Sequence, residues 1–163
     1  GAFTSILNQI LREEKGFTYG ASSSFGEMKT IAPFSAATSV RSGATFESIS
    51  IIRDEMEKYR NGVTPEDLQF IKNCMIRSNA LRFETNGDLL SMLNTMSKYG
   101  FSSDYIKNEE EIIRNMTINE HRTVAQKYII PERMYYVVVG DAATQMKPLE
   151  GLGFGKPVLI KGR

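Results

Sequence analysis

Apolar residues recur at helical spacing from the start of the chain, at Phe3, Ile6, Leu7, Ile10 and Leu11, with Asn8, Gln9, Arg12 and Glu13 between them. The spacing predicts an amphipathic helix that stops at Gly16, which can take left-handed backbone after Lys15. Residues 17–25 are small, polar and aromatic and suit an extended strand. Phe34, Ala36, Thr38 and Val40 then alternate with Ser35, Ala37, Ser39 and Arg41, a period of two that predicts a second strand and a hairpin joined by a loose loop over residues 26–33.

The centre reads as helical. Phe46, Ile49, Ile52, Met56 and Tyr59 share one face, and Asn61-Gly62 stops that helix. Thr64-Pro65-Glu66-Asp67 opens the next, with Thr64 as N-cap, Pro65 at the first helical position and acids in the first turn; its stripe is Leu68, Ile71 and Met75, and it should run to about Thr85, before Asn86-Gly87. A third central helix takes Leu89, Leu90, Leu93, Met96 and Tyr99 and ends at Gly100. A fourth begins near Ser103-Asp104 and carries Tyr105, Ile106, Ile112 and Ile113. Thr117 and Glu120 form a capping box for a fifth, which ends before Pro131. The run Met134-Tyr-Tyr-Val-Val-Val139 reads as a strand buried on both faces or central in a sheet, and residues 157–161 as a short last strand. Helix, two strands, five helices and two strands make an α+β fold with helices packed on one face of a mainly antiparallel sheet.

Composition narrows the chemistry. The chain has 163 residues, 20 Lys+Arg against 19 Asp+Glu and a net charge of +1, which gives no general pull toward nucleic acid or acidic membrane. No apolar run is long enough for a membrane helix. One cysteine excludes a disulfide framework. The lone His121 removes most histidine-based catalysis, because hydrolytic zinc sites and nucleophilic triads both draw on His.

Several motifs have plain readings. Gly151-Leu152-Gly153-Phe154-Gly155 lacks the strand-to-helix context of a phosphate loop. Cys74 reads as a buried inert thiol, His121 as a surface residue, and Glu109-Glu110-Glu111 as a solvated helix face. The methionines at helical positions read as core filler. Arg12 and Tyr19 offer more. Arg12 lies in the last turn of the first helix and Tyr19 on the strand beyond the Gly16 turn, so guanidinium and phenol could converge on a peptide carbonyl, a carboxylate or a developing oxyanion. The alternative is an arginine favoured by the helix dipole and a tyrosine that only packs.

Gly1-Ala2-Phe3-Thr4-Ser5-Ile6-Leu7, followed by Leu11-Arg12-Glu13-Glu14-Lys15-Gly16-Phe17-Thr18-Tyr19-Gly20, resembles the pitrilysin/insulinase family of zinc metallopeptidases, in their non-catalytic, C-terminal-half domain. Phe34-Ser35-Ala36, Gly62-Val63-Thr64-Pro65-Glu66-Asp67-Leu68 and Val137-Val138-Val139-Gly140-Asp141 agree, so the resemblance covers essentially the whole chain. It implies a half-domain that closes with a homologous catalytic half around extended peptides. That partner half, in the same chain or a separate subunit, carries H-x-x-E-H and the zinc, and its Glu activates water. The non-catalytic half supplies an Arg and a Tyr that hold substrate and polarise the scissile carbonyl; on this sequence they fall on Arg12 and Tyr19.

This chain has no H-x-x-E-H, so no catalytic or metal-binding residue is expected in it and no cofactor of its own. The family domain normally opens with a strand and further helix before the segment at Gly1. Residues 1–163 are therefore expected to be one substrate-binding half-domain, N-terminally truncated, from a longer bacterial protein, with periplasm and cytoplasm both open. The expected partners are the catalytic half-domain and a peptide, with a homo-oligomer open and nucleic acid excluded. Two other readings stand beside this one: an inactive structural or assembly domain of the same family, and an unrelated interaction module whose Ser-rich strand pairs with a partner's extended segment.

Overall fold

In the computed structural model, which describes residues 2–26, 30–81 and 83–160, the chain forms two compact units. The first comprises residues 1–24, 34–60 and 129–163, and the second residues 25–33 and 61–128. Gly1, residues 27–29 of the hairpin loop and Lys161 of the expected last strand lie outside the described residues.

The first unit opens with helix α1 (Ala2–Asn8), which widens into a π-helical turn over Gln9–Glu14. Strands β1 (Thr18–Phe25) and β2 (Phe34–Val40) form a two-stranded antiparallel sheet, and α2 (Thr45–Arg60) follows a 3₁₀ turn at Ser42–Ala44. The apolar stripe of the first helix does what its spacing predicts: Phe3, Leu7 and Leu11 are buried with Ala21, Met56 and Ile129, and Phe17, Phe34, Ala36, Ile52 and Tyr59 pack around them. The Phe3 ring lies 6.0 Å from Phe34 and 5.6 Å, edge-on, from Tyr59. Helices against an antiparallel sheet is the expected fold class.

The sheet is smaller than the sequence suggests. Residues 134–139 belong to no strand, and neither do residues 157–160. Met134 and Tyr136 reach the core, while Tyr135 and Val139 are each 97% exposed. A continuous apolar run reads as a buried strand only where a neighbouring strand completes its ladder, and among the described residues the sheet ends at two. A helix that the sequence reading lacks, α7 (Ala142–Leu149), follows instead, with the Asp141 carboxylate accepting from the Ala143 amide at 3.0 Å. The glycines at 151, 153 and 155 lie beyond its C-terminal end, the reverse of the phosphate-loop arrangement. Tyr136 stacks on Phe154 at 4.1 Å, and the Arg53 guanidinium sits 5.7 Å over Phe154 while donating to the Leu152 carbonyl.

The second unit holds α3 (Pro65–Leu81), α4 (Asn86–Tyr99), α5 (Tyr105–Asn115) and α6 (Ile118–Tyr128). Thr64 caps α3 by accepting from the Asp67 amide, and Thr117 and Glu120 form the expected capping box of α6. Asn86-Gly87 does not lie between helices: Thr85 and Asp88 make a second capping box, which draws both residues into the first turn of α4. Two side chains differ from their expected environment. Cys74 is exposed, because the inward stripe of α3 passes through Leu68, Lys72, Ile76 and Asn79 and leaves residue 74 outside it. His121 is buried, because Ile118, His121 and Ala125 share the inner face of α6.

Candidate functional site

The turn between the first helix and β1 is built from backbone bonds of unusual sequence spacing. Lys15 N–H donates to the Ile10 carbonyl at 2.9 Å, Gly16 N–H to Arg12 at 3.2 Å, and Phe17 N–H to Leu11 at 2.8 Å. These bonds span five, four and six residues, and the first, i to i+5, is that of a π-helix, a rare form that recurs at functional sites. Gly16 has φ +59°, left-handed backbone that a glycine takes without strain, and it reverses the chain into the strand. Phe17 then lies under two cations, with the Arg41 guanidinium 5.2 Å and the Lys15 ammonium 6.0 Å from its ring centre. Lys15 also pairs with Glu47 at 2.7 Å.

Arg12 and Tyr19 stand on either side of this turn, both open to solvent. The Arg12 side chain is 56% exposed and its Nε lies 3.3 Å from Glu13; Tyr19 is fully exposed. No hydrogen bond joins the two among the described residues, so the structure places both at one helix-to-strand junction without an internal contact between them. A surface ion pair such as Arg12–Glu13 is weak enough for an incoming carboxylate or carbonyl to replace. The backbone beside Tyr19 is fixed: Thr18 Oγ1 accepts from the Gly20 amide at 3.0 Å, and Thr38 Oγ1 donates to the Gly20 carbonyl at 3.0 Å.

Two residues that the sequence reading passed over hold the other edge of β1. Asn8 Nδ2 donates to the Ala21 carbonyl at 2.7 Å, and its Oδ1 accepts from the Ala21 amide at 3.0 Å. Thr4 Oγ1 accepts from the Ser23 amide at 3.0 Å and lies 2.8 Å from the Ser23 hydroxyl. The signal was present as a polar i, i+4 pair on an amphipathic helix, Thr4 and Asn8.

Elsewhere the chemistry is sparse. An open groove of about 800 Å³ in the second unit is floored by Met92, Leu93, Met96 and Ile106, and its Glu110 is engaged by Arg114 at 2.9 Å. Among the described residues no three His, Cys, Asp or Glu side chains gather in a way that could hold a metal ion. The two softest donors among the described residues also face different ways, His121 inward on α6 and Cys74 outward on α3.

The sequence model of the family described as Peptidase M16 inactive domain matches residues 1–75, the stretch that holds α1, the Gly16 turn, both strands and α2. A solved peptidase M16 inactive domain from Pseudomonas fluorescens superposes with a TM-score of 0.67 at 23% identity, over 80% of this chain and 34% of that one. The periplasmic protease PqqL from Escherichia coli superposes with a TM-score of 0.61 at 19% identity, over 78% of this chain and 15% of that one. At these identities the likeness is one of fold, and the chain spans only about a third of the first of these proteins. No curated protein matches it. The chain is thus similar over residues 1–75, just under half its length, to the peptidase M16 inactive-domain family, and its fold resembles that of the solved inactive domain.

Proposed function

We propose that this chain is the substrate-binding, non-zinc half of a zinc-dependent metalloendopeptidase that degrades or processes extended peptides, with Arg12 and Tyr19 as its peptide-holding pair. The observation that carries the reading is their common position at the Gly16 turn, inside the segment that matches the family and open to solvent. A guanidinium fork and a phenol hydroxyl are both donors suited to a peptide carbonyl whose charge grows during attack. Zinc, on this reading, belongs to the partner half, in the same chain or a separate subunit, and supplies the activated water there. This half contributes binding and orientation, and is inactive alone.

The test uses the intact peptidase. Arg12→Ala and Tyr19→Phe should each lower peptide turnover, by on the order of a hundredfold where the lost donor serves the transition state, while zinc content stays that of the parent. Unchanged turnover in both variants would remove the assignment and leave an assembly role as the better account.

A further inference from the structure

Thr4 and Asn8 treat β1 as a neighbouring strand would. In an antiparallel ladder, a hydrogen-bonded residue pair exchanges both an N–H and a C=O. Asn8 does this with one side-chain amide, engaging the N–H and C=O of Ala21 together. Thr4 does it less completely at Ser23, accepting from the amide at 3.0 Å and reaching the carbonyl at 3.4 Å. The spacings match. Four residues of helix rise about 6.0 Å and two residues of strand about 6.7 Å, so helix positions four apart can meet strand positions two apart. The same edge of β1 is thereby closed to a partner's strand at Ala21 and Ser23, which argues against pairing of the Ser-rich strand with an incoming segment there.

The series runs antiparallel, with Thr4 at Ser23 and Asn8 at Ala21. In sequence, one more step of four residues along the first helix, now through the π-helical turn of Gln9–Glu14, and two back along the strand reaches Arg12 and Tyr19. We infer that Asn8, supported by Thr4, is a positioning residue: it fixes the register of β1 against the first helix and so sets Tyr19 opposite Arg12. This rests on the reading of Arg12 and Tyr19 as the peptide-holding pair. Asn8 touches no substrate; it acts through the strand. The amide is suited to this because it is donor and acceptor in one plane, whereas a hydroxyl carries a single proton. Asn8 Nδ2 also donates to the Thr4 carbonyl at 2.8 Å, which orients the amide with its oxygen toward the Ala21 N–H.

Two measurements on the full chain test this. Amide exchange should speed up at Ala21 in Asn8→Ala, by about tenfold for the loss of a paired bond, while the Met56 amide in α2 keeps its protection. Binding of a fluorescein-labelled, unstructured decapeptide, followed by anisotropy well below the melting temperature, should weaken about tenfold in Asn8→Ala. Asn8→Asp keeps an acceptor for the Ala21 amide but loses the donor, so it should fall between the two and serves if the alanine variant does not fold. The deciding comparison is the triple variant. Asn8→Ala should cost nothing further in a Tyr19→Phe, Arg12→Ala background, since the groups it positions are already gone. A full additional loss there, or unchanged exchange at Ala21, overturns the positioning role. Binding indifferent to both Arg12→Ala and Tyr19→Phe overturns the underlying functional reading instead.

Discussion

His121 shows how one buried side chain becomes a measurable property. Burial disfavours its charged form and holds its pKa below the ordinary value of 6.5. The unfolded chain then binds more protons than the folded chain as pH falls through that value, so the stability due to neutral His121 is complete above about 6.5 and is lost progressively below it. The neighbouring Glu120 does not confuse the window. Its pKa is lowered, first by the Thr117 backbone N–H and then by the Thr117 hydroxyl, so it stays ionised until well below the histidine range. Thermal unfolding should therefore show a constant midpoint from pH 8 to 7 and a falling one from 6.5 to 5.5, and His121→Gln should flatten that fall. An equal slope in the variant would mean that another group titrates. The inward position was legible in the spacing of Ile118, His121 and Ala125; the charged neighbours Glu120 and Arg122 suggested the surface instead. Arg12 and Tyr19 are a different case: the sequence offers them as candidates, and the fold adds the turn that puts both at one junction.

At the scale of elements, helices were read well because their signals are local. Thr64 with Pro65, and Thr117 with Glu120, announce N-termini through bonds made within one turn, and the structure contains those bonds. The Asn86-Gly87 dipeptide misled because it is a turn signal when isolated, whereas Thr85 and Asp88 flank it with reciprocal caps. That cap is testable. α4 has no buried residue to hold its first turn, so Thr85→Ala should destabilise by about 1 kcal/mol in urea unfolding. Thr85→Ser should recover most of it, and equal losses in the two variants would show that the methyl matters and the hydroxyl does not. Strands were read less well for the complementary reason. β1 and β2 have each other, and β1 has the side chains of Thr4 and Asn8; residues 134–139 have a strand's composition but no ladder among the described residues. Period and propensity report what a segment prefers, and pairing depends on what the fold sets beside it.

At the scale of the whole molecule, that unpaired segment is the most consequential feature of the surface. Met-Tyr-Tyr-Val-Val-Val has high β-propensity, no charge and no proline, and Tyr135, Val137 and Val139 are 97%, 78% and 97% exposed. Such a stretch with open backbone groups is a template for pairing with another copy. Net charge offers little opposition, since +1 over 163 residues supplies almost no mutual repulsion. The chain on its own should therefore associate as concentration rises, with light scattering that grows with time and temperature. Val137→Lys places a charge on the exposed face of the segment while Met134 and Tyr136 keep their places in the core, so it should suppress the scattering with little change in midpoint of unfolding. A control separates this segment from general stickiness: Leu90→Lys, on an exposed apolar position of α4, should leave the association as it was. Association that persists in Val137→Lys and disappears in Leu90→Lys would move the contact from the unpaired segment to the helices of the second unit.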